Sequence, residues 1–179
     1  MTASHAAGPG LALDPAATAL VLVDLMERIV ALPLEPRTGA EALAVGADLA
    51  ARFRAAGSPV VLVRVERPGV AEQPPGSGLV AGLREDGDLE IVKRTLGGFQ
   101  DTGLHEALRA RGITTLVCGG IATNLGVEST ARAACDLGYE VVFVEDAMTA
   151  LTAAEHEAAV RLDFPRLGTV VTADGVRFE

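Results

Sequence analysis

Short apolar runs alternate with longer stretches of helical periodicity along the whole chain. The runs are rich in β-branched residues and lack a polar face, which predicts strands buried on both sides. They cover residues 17–25, 58–65, 89–94, 114–120, 139–147 and 168–173. Helical patterns fill intervals at 39–56, 101–112, 123–138 and 153–164. This alternation predicts an α/β fold, a three-layer α/β/α Rossmann-like sandwich with a six-stranded parallel sheet.

Polar residues and one proline mark the expected helix ends. Asp101 or Thr102 can cap the helix that follows the third strand, and Thr123 or Asn124 can cap the next one. Pro165 is expected to stop the last helix, because proline has no amide hydrogen for the helical ladder.

The length of 179 residues suits one domain with a full core. We assign that domain to residues 16–179 and expect a flexible arm of small residues at 1–15. The arm lacks the positive segment and apolar core of a signal peptide. Every apolar strand-like run is far shorter than the roughly 20 residues that span a bilayer, so no membrane partner is expected.

The charge balance excludes several classes of partner. There are 24 acidic and 15 basic residues, a formal net charge of −9, and no basic stripe of the kind that binds nucleic acid. The three histidines, His5, His105 and His156, lack metal-ligand spacing, and no dinucleotide or P-loop motif occurs, so neither metal nor cofactor is expected. Cys118 and Cys135 form no disulfide framework, which favours a reducing, cytoplasmic setting.

Charged residues gather where the predicted strands end, which is where α/β sheets place their sites. Asp24 ends the first strand and Lys93 the third. A nearby ammonium lowers the pKa of a carboxyl group, whereas burial raises it. The pair can therefore be an acid/base device or a structural ion pair. Arg64 and Arg94 share this rim, where they can bind an anionic substrate or balance the acidic surface.

The turn GGIATNLGVEST, residues 119–130, joins the fourth strand to a helix. Its glycines let the chain bend, and its exposed amides can bind an anion or oxyanion. Gly126 gives the turn no nucleophile. Cys118 should point into the core, Cys135 lies roughly 13 Å further along the helix, and Ser129 has no histidine nearby in sequence to activate it.

These residues resemble the isochorismatase-like hydrolase family, also called the cysteine hydrolases. The resemblance covers nearly the whole chain and rests on Asp24, on segments GIAT (120–123) and DA (146–147), on the closing PRLGTVVTADGV, and on Lys93 followed by Phe99, Thr102, Leu104 and Leu108. It implies a six-stranded parallel sheet flanked by helices, in agreement with the pattern of strands and helices.

The family's amidase members use an Asp–Lys–Cys triad. Asp24 and Lys93 match its first two members, and Gly126 occupies the position of the cysteine. The resemblance also implies a non-proline cis peptide at Ile121–Ala122. The glycine argues against nicotinamidase, ureidoacrylate and N-carbamoyl amidohydrolase activity in their usual, thiol-dependent form.

Two further departures from the family occur, and one family feature is missing. Met26 stands where a glutamine commonly follows the aspartate, and Gly97–Gly98 stand where Ser–Ala commonly precede Phe99. The metal-binding Asp/His cluster of nicotinamidase-type members has no counterpart.

True isochorismatases also carry glycine at this position and cleave a vinyl ether without a nucleophilic side chain. An acid protonates the methylene carbon, and water adds to the oxocarbenium ion. The resemblance thus implies Asp24 as general acid/base, with Lys93 orienting it, acting on an isochorismate-type or related anionic substrate. The expected substrate-binding residues are Ile121, Ala122, Thr123, Asn124, Gly126, Phe99, Arg64 and Arg94.

Two rival functions remain open at this point. A catalytically silent member could serve as a binding or assembly protein, or Asp24 could act as a base that activates water on an amide. The resemblance implies a homo-oligomer, either dimer or tetramer. The Pro- and Gly-rich loop at 66–88 is expected to shape the substrate pocket.

Overall fold

The computed structural model describes residues 11–179. Its strands are β1 (Leu11–Leu13), β2 (Thr18–Val23), β3 (Val60–Val65), β4 (Leu89–Lys93), β5 (Thr115–Ile121), β6 (Glu140–Thr149), β7 (Thr169–Val171) and β8 (Val176–Phe178). Its α-helices are α1 (Glu27–Val30), α2 (Gly39–Ala55), α3 (Leu104–Arg109), α4 (Glu128–Asp136), α5 (Ala153–Ala158) and α6 (Phe164–Leu167). A π-helical turn, Thr123–Val127, leads into α4, and a second, Ala159–Asp163, joins α5 to α6.

The central sheet has six strands in the order β4–β3–β2–β5–β6–β7, and every neighbouring pair is parallel. This confirms the predicted α/β architecture. The sheet is parallel because a helix or long loop returns the chain to the starting edge after each strand. All six strands therefore end at one edge, and the residues that follow β2, β4 and β5 are neighbours there.

Helices cover both faces of the sheet, as the strand β2 illustrates. Its side chains alternate, so Leu20 and Leu22 pack toward α2, while Val21 and Val23 pack toward α3, α4 and α6. Each of these four residues is almost completely removed from solvent. Burial of both faces explains why the strand sequences are continuous apolar runs rather than alternating ones.

A second, two-stranded parallel sheet pairs Leu11–Leu13 with Val176–Phe178. Residues 11–13, which belong to the arm predicted over 1–15, therefore form a strand. Leu13 is buried with the core on the α2 side, and Arg52 of α2 donates hydrogen bonds to the carbonyl oxygens of Ala173 and Val176. Residues 1–10, with the remainder of the predicted arm and His5, lie outside the described residues.

Three helix ends differ from the sequence prediction. Gly103 is the N-cap of α3, although the Thr102 hydroxyl still accepts a hydrogen bond from the Leu104 amide at 3.3 Å. Ala122 precedes the π-helical turn, so neither Thr123 nor Asn124 is a cap. Pro165 does not stop the last helix. It lies in the first turn of α6, where its missing N–H breaks no helical bond.

We expect Gly120 to be essential for joining β5 to the turn that follows it. Its φ is 122°, and a Cβ there would lie 2.1 Å from the carbonyl oxygen of Val23. Gly120→Ala should lower the free energy of unfolding by more than about 4 kcal/mol in urea titrations, because two backbones must separate. Gly112→Ala is the matched control: its φ is 71°, but its Cβ would meet open space, so about 1–2 kcal/mol is expected. Equal losses would contradict this.

Candidate active site

The structure brings Asp24 and Lys93 together at the carboxyl edge of the sheet. Asp24 directly follows β2 and Lys93 ends β4, so the lysine side chain reaches across the end of β3. Its Nζ lies 2.8 Å from Oδ2 of Asp24. The same Nζ donates a hydrogen bond to the carbonyl oxygen of Leu96 at 2.6 Å, which fixes the ammonium from a second side.

The backbone at Asp24 is held in an unusual conformation. Its φ is 54°, in the left-handed region that non-glycine residues seldom occupy. The Asp24 amide donates to the carbonyl oxygen of Val63 at 2.7 Å, and its carbonyl oxygen accepts from the Met26 amide at 2.8 Å. These bonds hold the side chain over the end of β2, and such conformations occur preferentially where function requires them.

Burial dominates the electrostatics of the pair. The Lys93 side chain is 1% exposed and that of Asp24 is 9% exposed. Loss of water raises the pKa of the Asp24 carboxyl, and the lowering effects of the Lys93 charge and hydrogen bond and of the Arg28 charge do not cancel that rise. Oδ2 accepts the lysine bond, whereas Oδ1 has no partner among the described residues. A proton on this carboxyl therefore belongs on Oδ1.

The backbone of Gly126 lies directly against this ion pair. A Cβ at this position would be 3.0 Å from Nζ of Lys93 and 3.1 Å from Oδ2 of Asp24. The predicted cis peptide at Ile121–Ala122 is present at the start of the same turn. At position 126, therefore, only backbone atoms of the turn face the ion pair.

The loop that follows β4 is tied to this turn through Thr130. The Thr130 hydroxyl donates to the Gly126 carbonyl oxygen at 2.6 Å and accepts from the Gly98 amide at 3.0 Å. A Cβ on Gly97 would lie 2.8 Å from Oγ of Ser129. The Gly97–Gly98 pair thus allows close packing of this loop against the start of α4.

A buried polar network supports the turn from the other side, and no local sequence pattern indicates it. The Thr123 hydroxyl lies 2.8 Å from Nδ1 of His156, and Nε2 of that histidine faces Arg37 at 3.5 Å. Because a guanidinium only donates, Nε2 must accept and Nδ1–H must donate to Thr123. Burial, reinforced by Arg37, lowers the pKa of His156 to about 4, so the ring is neutral at physiological pH.

Of the other predicted binding residues, the two arginines are already paired. Arg64 bonds Glu66 and Glu90, each at 2.7 Å, and Arg94 bonds Glu66 at 3.0 Å. Their charges are compensated within the chain, which leaves them little capacity for a substrate anion. Arg28, a cation four residues after Asp24, was not identified from the sequence, because Asp24 lies before α1 and the helical i,i+4 rule does not connect the two.

The remaining predicted residues lie at different depths. Phe99 is half-buried, with its ring centroid 5.9 Å from that of Tyr139. Ile121 is buried on the α2 side, and Ala122 is partly exposed. Asn124 is partly exposed, and its buried Oδ1 has no hydrogen-bond partner among the described residues.

The loop between β3 and β4 lines an open cavity of about 590 Å³. Its walls include Gln73, Pro74, residues 77–82 and three charged side chains, Arg64, Arg84 and Glu90. Neither Asp24 nor Lys93 lines it. The ion pair and the cavity are therefore neighbouring but separate features of this conformation.

Residues 11–179 contain neither a cluster of potential metal ligands nor a helix that could span a membrane. No group of three or more histidine, cysteine, aspartate or glutamate residues there could hold a metal ion. None of the helices in this range is long and apolar enough to cross a membrane.

Comparisons with known proteins agree on one family. The isochorismatase domain model matches residues 18–175. The isochorismatase family protein YecD of Escherichia coli O157:H7 is 38% identical over 183 residues, which covers 93% of this chain and 97% of YecD. A solved isochorismatase family protein from Burkholderia thailandensis has a TM-score of 0.85 and 37% identity, covering 93% and 96% of the two chains. Ureidoacrylate amidohydrolase RutB of Variovorax paradoxus is 47% identical, but over only 28% of its length.

The burial of the pair predicts the effect of removing its cation. Lys93→Met leaves the Asp24 carboxyl buried without a counter-charge, which raises its pKa further. Folding then favours the protonated carboxyl, so stability is lost as pH rises through that raised pKa. We expect a loss of about 3–5 kcal/mol in urea unfolding at pH 8 and a smaller loss at pH 5.

The double variant Lys93→Met/Asp24→Asn is the control for this prediction. It carries no charge at the site and should regain much of the stability at pH 8. A double variant no more stable than Lys93→Met would contradict the prediction.

Proposed function

Because this chain belongs to the isochorismatase family of hydrolases, we propose that it hydrolyses a small anionic substrate without a covalent thiol step. The proposed reaction is vinyl-ether cleavage of the isochorismate type, with Asp24 as the general acid. The observation that carries this proposal is the buried Asp24–Lys93 pair, whose free Oδ1 belongs to a carboxyl group of raised pKa.

A carboxyl group with a raised pKa retains its proton to higher pH than an ordinary aspartate and can donate it there. In the proposed reaction Oδ1–H gives that proton to the methylene carbon of the vinyl ether, forming an oxocarbenium ion. Water adds to the cationic carbon and returns a proton to Asp24. The resulting hemiketal then releases the alcohol and leaves a ketone. Lys93 holds Oδ2, so the carboxyl cannot rotate away from the substrate.

The thiols of this chain support a route without covalent catalysis. Residue 126 is glycine, in the position that the family resemblance assigns to the nucleophilic cysteine. Burial raises the pKa of Cys118 to about 12, and burial also raises the pKa of Cys135, whose Sγ donates to the Leu167 carbonyl oxygen. Neither thiol is activated toward the nucleophilic thiolate form.

A second candidate is a catalytically silent member that binds a ligand or assembles with other chains. The observation that favours it is the enclosure of the ion pair, since the 590 Å³ cavity is lined by neither of its members. Such a protein would bind ligands without turnover, and changes at Asp24 or Lys93 would leave its function unchanged.

A third route, water activated by Asp24 as a base on an amide, differs from the first in its pH dependence. A base must be ionised, so its rate rises with pH through the pKa of Asp24. An acid must be protonated, so its rate falls over the same interval. A cytoplasmic homo-oligomer, dimer or tetramer, completes the proposal and follows from the family resemblance and from the free cysteines.

The decisive test is Asp24→Asn against isochorismate, nicotinamide, N-carbamoyl amides and ureidoacrylate. We expect turnover of isochorismate or another vinyl ether to fall about 10²–10⁴-fold while the circular dichroism spectrum stays unchanged. Wild-type kcat/KM should decline as pH rises, with a midpoint above the ordinary aspartate value of 3.8, because burial raises the pKa of Asp24.

The matched control is Asp136→Asn, which makes the same chemical change at the exposed end of α4. It should leave kcat unchanged. Equal turnover by Asp24→Asn and wild type would overturn the proposal, and no turnover of any substrate would favour the silent alternative.

Gly126→Cys tests whether the remainder of the family triad has working geometry. Its Cβ must displace Lys93 Nζ or Asp24 Oδ2 by a few tenths of an ångström, since they lie 3.0 and 3.1 Å from that position. We expect vinyl-ether turnover to fall and amide hydrolysis to become measurable, because the new thiol faces both an acid/base and a cation. Gly126→Ala, which adds the Cβ without sulfur, should lose vinyl-ether turnover and gain nothing.

A further inference from the structure

We propose that the guanidinium of Arg28, beside the hydroxyl of Ser77, is the anion-binding subsite of this protein. It would hold a substrate carboxylate between Asp24 and the 590 Å³ cavity. This inference rests on the proposed function for the reaction that follows binding, but the binding itself can be tested without turnover.

The other cations of the ion pair and of the cavity wall are engaged. Lys93 bonds Asp24 and the Leu96 carbonyl oxygen. Arg64 bonds Glu66 and Glu90, while Arg84 lies 3.4 Å from the same Glu90. An anionic substrate would have to break one of these pairs to use its cation. The subsite must therefore come from a cation whose charge is still uncompensated.

Arg28 meets this condition within residues 11–179. It forms no salt bridge to any carboxylate of that part of the chain, and its side chain makes one hydrogen bond there, from Nε to Ser77 Oγ at 3.1 Å. A guanidinium carries five N–H donors, of which the four on the terminal nitrogens suit the two oxygens of a carboxylate. These four remain available to a ligand.

The position of Arg28 links the two parts of the site. On one side, Arg28 lies four residues after Asp24 in the chain, and its charge opposes in small part the rise in the Asp24 pKa that burial causes. On the other side, its partner Ser77 is 8% exposed and forms part of the cavity wall. The cavity volume lies in the usual range for small-molecule sites. Arg28 is not itself a wall residue, so a ligand in the cavity would reach its guanidinium past Ser77.

Backbone contacts hold Arg28 in place before any ligand arrives. Its amide donates to the Gly76 carbonyl oxygen at 3.0 Å, and the Glu27 amide donates to Gly78 at 3.2 Å. Gly76 has a φ of 72°, and a Cβ there would lie 3.2 Å from Cβ of Arg28. The loop thus fits closely on α1, and a preorganised cation binds with less loss of entropy.

Binding of a carboxylate at Arg28 would also favour the protonated, acid form of Asp24. The free guanidinium lowers the pKa of Asp24. A bound carboxylate neutralises that effect, so the pKa of Asp24 rises and its proton is retained when substrate is present. The substrate class that gains from this coupling has a carboxylate next to the vinyl ether carbon, as in a 2-alkoxyacrylate. Its hydrolysis consumes one water and yields a 2-oxoacid and an alcohol.

The test uses unreactive saturated probes, 2-cyclohexyloxypropionate and its uncharged carboxamide, measured by titration calorimetry on the full chain. We expect wild type to prefer the carboxylate. Arg28→Gln should weaken carboxylate binding by about 10- to 100-fold and leave the carboxamide unchanged. Arg28→Lys should recover part of the lost affinity, because lysine restores the positive charge but not the planar pair of donors of a guanidinium. Arg109→Gln removes the same charge from an exposed position on α3 and should match wild type.

Turnover of 2-cyclohexyloxyacrylate separates this inference from the proposed function. Arg28-dependent binding without hydrolysis would overturn the function and leave the subsite standing. Hydrolysis that requires Asp24 but is indifferent to Arg28→Gln would overturn the subsite and leave the function standing. If the subsite and the proposed function are both correct, Arg28→Gln should shift the decline of kcat/KM to higher pH. Failure of wild type to bind either probe overturns the subsite.

Discussion

The buried ion pair between Asp24 and Lys93 depends on the register of three strands. Val23 pairs with Val63 on β3, and Val65 of β3 pairs with Lys93 of β4. Two opposite charges removed from water are tolerable only at contact distance, where each compensates the desolvation of the other. A slip of one residue between any two of these strands would reverse the side-chain directions and separate the charges. The chemistry of the site is therefore tied to correct assembly of the sheet.

Much of this arrangement could be predicted from the sequence because its causes are local. Apolar runs bounded by glycine and polar residues predict buried strands, and parallel topology then places Asp24 and Lys93 at one edge. The cis peptide at Ile121–Ala122 followed from resemblance to a family and not from any pattern in the chain. The glycine turn predicted that Gly126 would lie near both charged groups. The separation between Gly126 and those groups could be obtained only from the structure.

The features that escaped prediction depend on contacts between distant segments. His156 lies on α5 yet bonds Thr123, and its acceptor role follows only from the approach of Arg37. Arg64 was predicted to bind substrate, but Glu90 on the neighbouring strand pairs with it. Arg28 was overlooked because its significance comes from the Ser77 loop packed against it. In each case tertiary contacts decide whether a charged side chain is already occupied or still available.

The small sheet of β1 and β8 determines where anything attached to this protein would be located. Leu11 pairs with Val176, so the described beginning of the chain lies beside its carboxyl end. A cavity of about 760 Å³ next to them is walled by residues at the starts of β2, β5, β6 and β7, on the side of the sheet opposite to Asp24. A linker that joins Glu179 to a solid support would therefore leave the edge that holds Asp24 and Lys93 facing away from the support.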